Sequence, residues 1–405
     1  MAGPLSGFRI LDLSAVISGP FGTMILADQG ADVIKVEPTQ GDFTRMAGNR
    51  MHGMSASFLN NNRNKRSIAI DLKAPGGVDL IKRLARDADV LVQNFRPGVM
   101  ERLGLGEDDI RAVRPDIVYV SLSGFGENGP FAGKPVYDPI VQALSGLASV
   151  QGGSDEQRPR LLRTILPDKL TAITASQAIT AALLARERTG EGQHVRLSML
   201  DAVVAFLWSS DMGGQTYVGH DVSQQRAASY IDLIYETKDG HMSVAVMTNP
   251  QWKALADATG HPEWLEDPRF ATTELRDLNI NARLELIQSV LVERTTDDWM
   301  ALLEPAGVPC APVLHRKDMI HHPQVQASGI VTEHDHPVAG RLRQARNAAR
   351  FSGTTAEHRF GAPQLGEHTD EILREAGFTD AEISRMQDQG TVRSAAPATS
   401  DTGTA

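Results

Sequence analysis

One carboxylate in this sequence has a setting suited to chemistry. Asp168 lies in the stretch LLRTILPDKLTA (161–172), directly after a proline and just before a long apolar pattern of helical period. Asp is favoured at a helix N-cap, where its carboxylate would accept a hydrogen bond from the backbone N–H of Leu170 or Thr171. The helix dipole would also keep such a carboxylate ionised, and nearby N–H groups could stabilise an oxyanion on an acyl group attacked there. The local pattern permits a capping role and a nucleophilic role and does not choose between them.

A glycine pattern found in dinucleotide-binding loops, G-x-G-x-x-G, occurs at Gly124, Gly126 and Gly129. In such a loop the glycines must open a helix whose N-terminus holds the pyrophosphate. Pro130 and the following GKP are incompatible with that helix. Glu37 ends the second predicted strand, where a ribose-binding acid could lie, but the first strand–helix turn lacks the glycine spacing. We therefore expect a glycine-rich loop and no nicotinamide or flavin cofactor.

Histidine and cysteine offer two further candidates for chemistry. Twelve histidines are present, and they include the neighbouring pairs His321 with His322 and His334 with His336. None lies in H-E-x-x-H, a single cysteine cannot form a zinc ribbon, and no G-x-S-x-G elbow occurs. We expect loop or surface histidines, no metal site, and a packed rather than nucleophilic Cys310, which lies in the apolar stretch AGVPCAPV.

The composition indicates a globular protein of two or three domains. The chain has 405 residues, of which 41% are hydrophobic and 22% charged, and no apolar run is long enough for a membrane helix. The net charge of −10 argues against nucleic-acid binding, although it is compatible with a local basic pocket for one phosphorylated ligand. The N-terminal stretch has no secretory pattern, and the single cysteine favours a reducing compartment, so we expect a cytoplasmic protein.

Strand-like and helical patterns alternate along the first 125 residues. The predicted strands span 8–14, 31–38, 67–72, 89–95 and 116–123, and the predicted helices span 19–30 and 76–88, with two short helices within 97–113. Strands separated by helices indicate right-handed βαβ units and a mostly parallel sheet. A long helix from Asp168 to about Gly190, a strand at 194–199 and a helix at 200–212 follow.

The remainder divides into further segments. A hairpin at 232–247 and helices at 249–260, 281–295 and 296–307 predict a smaller α+β domain, after which the pattern becomes extended from about Pro323 and ends in a helix at 368–378. The expected organisation is a large domain formed by 1–220 and, after the chain returns to it, 323–387. A small domain spans 225–322, and a disordered tail spans 388–405.

Several longer blocks resemble the class III CoA-transferases, the CaiB/BaiF family that includes formyl-CoA transferase. They lie at 7–42, 62–73, 92–106, 118–147, 182–202, 267–272, 306–313 and 365–378, and they run in the order found in the family. The resemblance implies an α/β fold with a Rossmann-like large domain and parallel sheet, a smaller α+β domain, and an interlocked homodimer. It also implies no permanently bound cofactor, because coenzyme A thioesters are the substrates.

The family's catalytic aspartate falls on Asp168. In the mechanism that the resemblance implies, this carboxylate attacks the donor acyl-CoA to give an aspartyl anhydride. CoA thiolate converts the anhydride to an aspartyl-CoA thioester, and an acceptor carboxylic acid then takes the CoA. The resemblance also implies twelve CoA contacts, which are Val16, Ile17, Leu72, Lys73, Ala74, Asn94, Phe95, Arg96, Arg102, Lys134, Tyr137 and Met199.

Three departures from formyl-CoA transferase bear on the substrate. Ile17 stands where that enzyme has a glutamine, Pro38 replaces an arginine, and the glycine-rich flap is not evident in the stretch AVMTNPQ near Met247. These differences speak against oxalate and formyl-CoA as substrates and leave the donor and acceptor open, with succinyl-CoA as the first donor to try.

Two other functions are alternatives to CoA transfer. An α-methylacyl-CoA racemase of the same fold needs a histidine in a GHD motif as its second proton-transfer group, and Tyr137 occupies that position here. With an ordinary pKa near 10, tyrosine is a poor base. A noncatalytic acyl-CoA-binding protein is disfavoured by the presence of Asp168. We therefore predict a CoA-transferase.

Overall fold

The structure is a computed structural model that describes residues 3–153, 157–220 and 232–395. The chain divides into two compact units. The larger unit comprises residues 1–151, 160–212 and 329–405, and the smaller unit comprises 152–159 and 213–328. The boundaries expected from the sequence differ from this division, because they place 152–159, 213–220 and 323–328 in the large domain, whereas these residues belong to the smaller unit.

The helices and strands of the described residues are numbered here in chain order. The strands are β1 (Arg9–Asp12), β2 (Asp32–Glu37), β3 (Arg50–Met51), β4 (Met54–Ser55), β5 (Lys65–Ile70), β6 (Val90–Gln93), β7 (Val118–Ser123), β8 (His194–Ser198), β9 (Ile234–Glu236), β10 (His241–Val244), β11 (Cys310–Pro312), β12 (Val331–His336), β13 (Gly340–Ala345) and β14 (Val392–Arg393). The α-helices are α1 (Ser18–Asp28), α2 (Ala56–Asn62), α3 (Gly77–Ala85), α4 (Val99–Arg102), α5 (Glu107–Arg111), α6 (Asp138–Leu144), α7 (Leu147–Gly152), α8 (Leu166–Thr189), α9 (Met199–Trp208), α10 (Gly213–Thr216), α11 (Asn249–Thr259), α12 (Thr273–Leu278), α13 (Ile280–Leu291), α14 (Thr296–Leu303), α15 (Arg316–Met319), α16 (Pro323–Ser328), α17 (Thr369–Glu375) and α18 (Asp380–Asp388). Two 3₁₀ turns lie at Phe43–Arg45 and Pro262–Leu265.

A seven-stranded sheet forms the centre of the larger unit. Its order is β14-β5-β2-β1-β6-β7-β8, and all neighbouring pairs are parallel except β14 with β5. The six parallel strands thus follow the doubly wound order 3-2-1-4-5-6, in which the chain changes direction between β1 and β6. The predicted mostly parallel sheet is confirmed. Its central strands β1, β6 and β7 are buried on both faces, which explains why they read as nearly continuous apolar runs. The edge strand β8 is mostly half-buried or exposed.

Two apolar cores cover the two faces of this sheet. On one face, Leu91 and Tyr119 pack with Ile81 of α3 and Leu373 of α17. On the other face, residues of β1, β6 and β7 pack against α1 and α8, whose Ile179 is fully buried. Helices on both faces are what a parallel sheet with βαβ crossovers requires.

The smaller unit is built on a three-stranded antiparallel sheet with the order β11-β10-β9. The predicted hairpin is confirmed, since Met242 of β10 pairs with Tyr235 of β9. Its core contains Trp252, Trp264 and Trp299, the last of which donates an Nε1 hydrogen bond of 2.7 Å to the carbonyl of Leu291.

Two C-terminal segments differ from the expectation. Residues 323–328 form α16 rather than extended chain, and β12 and β13 then pair as a hairpin. The expected disordered tail is wrong for 388–395, because Val392 is buried and pairs with Ile70 at the sheet edge. Residues 396–405 of that tail lie outside the described part of the chain.

Candidate functional site

The candidate site lies at the carboxyl ends of the parallel strands. The loop after β1 (residues 13–17) and the loop after β6 (residues 94–98) leave the sheet on either side of the point where its strand order reverses. Ligands of doubly wound sheets bind at such a point, because adjacent loops diverge there and leave a crevice. Asn94 joins the two loops. Its Oδ1 accepts from the N–H of Ala15 at 2.9 Å, and its Nδ2 donates to the Ala15 carbonyl at 2.8 Å.

Side chains hold the backbone of the β1–α1 loop at Ser14, Ala15 and Val16. The Ser14 carbonyl accepts a hydrogen bond of 3.0 Å from Lys35 Nζ. The Val16 N–H donates to Asp42 Oδ2 at 3.2 Å, and Val16 has a positive φ of 71°. A β-branched residue is strained in this conformation, so the surrounding contacts must stabilise it. The loop that contains Val16 and Ile17 is therefore fixed in one conformation.

A buried ion cluster lies beneath this loop. Asp12 and Lys65 form an ion pair of 3.0 Å in which both side chains are fully buried, and Lys35 pairs with Asp42 at 3.1 Å. Burial raises the pKa of Asp12, but Lys65 and Lys35 oppose it and bring the value to about 2. Burial, opposed by Asp12, lowers the pKa of Lys65 to about 8. Both partners are therefore charged at neutral pH, and the pair is compensated within the protein interior.

Asp168 lies in the first turn of α8, not at its N-cap, so the capping role, one of the two that the sequence pattern permits, is wrong. The helix begins at Leu166 after Ile165, which gives no side-chain cap. The reason is Pro167. Proline fits the first helical turn because its missing N–H has no partner there, so the helix includes the proline instead of starting after it. Gly190 ends the helix in the left-handed conformation, with φ of 77°.

Asp138, at the start of α6, is a site residue that the sequence analysis missed. Its Oδ2 accepts from the backbone N–H of Asp168 at 3.2 Å and so provides the cap that α8 lacks. Gln142, one turn later, donates to Asp138 Oδ1 at 2.6 Å and to the Thr164 carbonyl at 3.2 Å. Its Oε1 accepts from the N–H of Leu162 at 2.9 Å. These contacts fix the chain that enters α8.

The environment of Asp168 changes its acidity. Burial and, second, the negative charge of Asp138 raise the pKa of Asp168 to about 6, and hydrogen bonds from Ser18 oppose this rise. Ser18 is the first residue of α1 and follows the fixed loop directly. The helices α1 and α8 approach closely at Gly22, where a Cβ would lie 2.9 Å from the Ala172 carbonyl oxygen. Asp168 is thus a half-buried carboxylate that ionises readily at neutral pH, in a fixed position beside the loop.

The other predicted contact residues occupy three loops and one helix. Leu72, Lys73 and Ala74 follow β5, and the Lys73 N–H donates to Asp71 Oδ1 at 2.9 Å. After β6 come the half-buried Asn94 and Phe95 and the exposed Arg96, and the exposed Arg102 ends α4. The Nζ of the exposed Lys134 lies 3.3 Å from the centroid of the Phe131 ring.

Tyr137 and Met199 lie near the start of α6 and α9. Tyr137 immediately precedes Asp138 and is 75% exposed. Met199 is buried and packs in a cluster with Val141 of α6 and with Leu166, which opens α8. Three of the predicted residues are connected to Asp168 by the described contacts. Ile17 is next to Ser18, which hydrogen-bonds to Asp168, and Tyr137 is next to Asp138, which accepts from the Asp168 N–H. Met199 is connected through the cluster that contains Leu166.

The cation distribution suits an anionic ligand. Lys73, Arg96, Arg102 and Lys134 come from the segments that follow β5, β6 and β7. Within the described ranges, none of these four side chains forms an ion pair with a carboxylate. Their charges are therefore available to phosphate groups.

The glycine pattern after β7 forms a loop, as predicted. Gly126 and Gly129 both have positive φ angles, and the next helix begins only at Asp138. Glu37 is buried and pairs with Arg45 at 2.7 Å, so its carboxylate serves the fold rather than a ribose. No arrangement for a dinucleotide is present at these positions.

Histidine and cysteine have structural contacts. His336 is not on the surface, because it is buried in β12, where its Nε2 bonds with the Ala362 carbonyl at 2.8 Å. Cys310 packs against the core of the smaller unit, and burial raises the pKa of its thiol. In the described part of the chain, no three His, Cys, Asp or Glu residues form a group that could hold a metal ion.

Comparison with known proteins identifies relatives along most of the chain. A family model described as CoA-transferase family III matches residues 5–369. Succinyl-CoA:glutarate CoA-transferase of Homo sapiens is 35% identical, over 96% of this chain and 90% of its own. Acetyl-CoA:oxalate CoA-transferase of Acetobacter aceti is also 35% identical, over 94% of this chain and 97% of its own.

A solved structure has the same fold. The crystal structure of a CaiB/BaiF family protein from Brucella suis matches with a TM-score of 0.81 and 30% sequence identity, and the match covers 93% of this chain and 100% of that one. Among the described residues, no helix is both long and apolar enough to cross a membrane.

Proposed function

Because the chain belongs to CoA-transferase family III, we propose that Asp168 is the nucleophile that carries CoA from donor to acceptor. The protein is an enzyme that transfers CoA from an acyl-CoA to a carboxylic acid. The observation that carries the proposal is the position of Asp168, a half-buried carboxylate with a pKa of about 6 that is fixed beside the β1–α1 loop. Its ionised form is present at neutral pH and is only partly solvated, which suits a nucleophile.

The transfer consists of four balanced exchanges between carboxylate and thiolate. Asp168 attacks the donor thioester carbonyl, the C–S bond breaks, and CoA thiolate leaves as an aspartyl anhydride forms. The thiolate attacks the aspartyl carbonyl and releases the donor acid, which leaves an aspartyl-CoA thioester. The acceptor carboxylate attacks this thioester and forms a second anhydride. The released thiolate then attacks the acceptor carbonyl, which yields the new acyl-CoA and restores Asp168. Each step forms and breaks one bond at an acyl carbon and needs no other reagent.

CoA binding is assigned to the loops at the carboxyl edge of the sheet. We propose that Arg96, Arg102, Lys73 and Lys134 bind its phosphates, since these exposed cations follow parallel strands that end at the same edge of the sheet. Phe95, which is half-buried against the core, offers a ring face for the adenine. Val16 and Ile17 would lie beside the acyl group, because Ser18 contacts Asp168.

A dicarboxylic acid longer than oxalate is the proposed acceptor. Ile17, just before α1, has an apolar side chain that offers no hydrogen-bond donor to a short, doubly charged acid. The human relative acts on succinyl-CoA and glutarate, whereas the Acetobacter relative acts on acetyl-CoA and oxalate. A competition between oxalate and glutarate, with succinyl-CoA as the donor, measures the preference by mass spectrometry of the CoA products. Glutaryl-CoA as the main product is expected, and oxalyl-CoA as the main product would contradict the proposal.

The pKa of Asp168 predicts a pH dependence of the reaction. We expect kcat/KM to be constant above about pH 6 and to fall tenfold per pH unit below it, because only the ionised carboxylate attacks. Asp138→Asn removes the neighbouring charge but keeps an oxygen that can accept from the Asp168 N–H. In this variant the acid limb should therefore move to lower pH. An acid limb that stays in place would contradict the proposed coupling of the two carboxylates.

A homodimer is proposed on the basis of exposed apolar side chains in the larger unit. Large apolar side chains that are exposed in number on the surface of a protein often mark an interface with another protein chain. The side chains on α6, α8 and α9 that are about half exposed are Ile140, Leu144, Ile173, Leu184, Phe206 and Trp208. A second copy of the chain is the proposed occupant, and the interlocked arrangement of the family would cover these helices. The mass in solution from light scattering distinguishes dimer from monomer.

A further inference from the structure

Four polar side chains form a continuous row across one end of the large sheet. They are Glu107 of α5, His194 of β8, Ser121 of β7 and Gln93 of β6, named here the His194 row. His194 Nδ1 lies 2.6 Å from Glu107 Oε2, and its Nε2 lies 2.8 Å from Ser121 Oγ. Gln93 Nε2 donates to Ser121 Oγ at 2.9 Å. The row ends at the loop after β6, where Gln93 Oε1 accepts from the N–H of Phe95 at 2.8 Å.

The row is buried at Gln93, Ser121 and His194, is partly exposed at Glu107, and is held in register by the sheet. Gln93 and Ser121 are paired residues of the parallel strands β6 and β7, so their side chains leave the same face side by side. The His194 side chain is 7% exposed, and its ring packs edge-on against Tyr119 with centroids 5.0 Å apart. Arg111 and Arg196 pair with Glu107 at 3.1 and 3.3 Å and fix the outer end. Polar side chains placed in such an apolar layer are costly unless every one is hydrogen-bonded.

One proton arrangement satisfies every group in the row. The Ser121 oxygen accepts from Gln93, so its own hydroxyl proton is free to donate to His194 Nε2. With the Ser121 hydroxyl donating to Nε2, the Nδ1 of His194 carries a proton and donates it to the Glu107 carboxylate. Each member thus determines the orientation of the next. The Gln93 amide is oriented with its nitrogen toward Ser121 and its oxygen toward Phe95.

We propose that the His194 row positions the CoA-binding loop at residues 94–96 and thereby sets the affinity for acyl-CoA. The proposal rests on the proposed assignment of this loop to CoA. The loop has two anchors, since Asn94 binds the Ala15 backbone on one side and Gln93 holds the Phe95 N–H on the other. Without the row, the Gln93 amide can rotate and release Phe95, and the loop must then be ordered when CoA binds. Ser121, His194 and Glu107 are proposed as positioning residues, because their contacts reach the loop through Gln93.

Two hydroxyl deletions on the same strand test this proposal. Ser121→Ala removes the hydroxyl that links His194 to Gln93. Tyr119→Phe removes a buried hydroxyl two residues away, which donates to the Leu105 carbonyl at 2.9 Å and lies outside the row. We expect Ser121→Ala to raise the KM for acyl-CoA and the Kd for free CoA by about three- to tenfold and to change kcat less than about twofold. We expect Tyr119→Phe to leave all three constants unchanged, and Ser121→Thr, which keeps a hydroxyl, to restore most of the affinity.

Two further readouts make the outcome decisive. Hydrogen exchange of the peptide that contains Phe95 should be faster in Ser121→Ala than in Tyr119→Phe, whether or not the enzyme turns over. Arg96→Ala serves to test the loop itself. If Arg96→Ala weakens CoA binding and Ser121→Ala matches Tyr119→Phe in every constant, the role of the row is overturned while the loop assignment stands. If neither variant changes the Kd for CoA, the loop does not bind CoA, and both the assignment and the role of the row are wrong.

Discussion

Asp168→Asn is expected to abolish CoA transfer, with a loss in kcat on the order of 10³-fold or more, because an amide cannot attack the thioester. The stability of the fold should not decrease. Burial and Asp138 raise the pKa of Asp168 to about 6, so at pH 7 the ionised Asp168 carboxylate is less stable in the folded protein than in the unfolded chain. Neutralising it should leave the free energy of unfolding unchanged or raise it by about 1 to 2 kcal/mol. Turnover assays and urea-induced unfolding of the same preparation measure the two effects.

Asp298→Asn is the matched control for that substitution. Asp298 is also the third residue of its helix, α14, and is exposed to solvent in the smaller unit. We expect this variant to keep native turnover and to lose at most about 1 kcal/mol of stability through its capping box with Thr295. Retained turnover in Asp168→Asn, or an equal loss in both variants, would contradict the nucleophilic role.

Lys65→Met is expected to cause the largest loss of stability, about 3 to 5 kcal/mol, because it removes one partner of a fully buried ion pair and leaves Asp12 without it. Lys65 Nζ also donates to the Pro20 carbonyl at 2.8 Å and to Asn62 Oδ1 at 2.9 Å, so three buried acceptors lose a donor. Since Asp12 bonds Ser14 in the β1–α1 loop, activity should fall together with stability. Thermal or urea-induced unfolding, with activity measured in parallel, tests this.

An exposed pair provides the comparison. Lys253 and Asp257 pair at 2.5 Å on the surface of α11, where solvent screens the attraction. Lys253→Met should therefore cost less than about 0.5 kcal/mol. A similar cost for Lys65→Met and Lys253→Met would show that the buried cluster does not hold the loop.

Most of the parallel sheet could be predicted from the sequence because its central strands β1, β6 and β7 are largely apolar runs that are mostly or fully buried. The runs around Leu91 and Val120 are continuous, and the helical pattern between them permits only a crossover connection. The strand β14 could not be predicted in this way. It has two residues and a single apolar anchor, Val392, and it forms because the edge of β5 is available 322 positions earlier in the chain, at Ile70.

The site was partly predictable for a related reason. Asp168 could be identified as a candidate because its neighbours in sequence, a proline and a helical pattern, indicate a helix start. Its cap could not, because the capping group is Asp138, 30 residues earlier on a different helix. Asp138 is followed directly by Pro139 at the start of α6, and this helix-start pattern in the sequence would have marked it as a second carboxylate to consider. The pKa of Asp168 depends on that tertiary contact and could not be read from either segment alone.

Trapping the covalent intermediate tests the central proposal most directly. The native enzyme is incubated with succinyl-CoA and no acceptor, treated with hydroxylamine to capture any activated carboxyl group, digested, and mapped by mass spectrometry. Hydroxylamine converts an aspartyl anhydride or aspartyl-CoA thioester to a hydroxamate on that residue. We predict a hydroxamate on Asp168 that requires succinyl-CoA and is absent from Asp168→Asn. A hydroxamate on another carboxylate, or an unmodified Asp168 in a preparation that transfers CoA, would contradict the proposal.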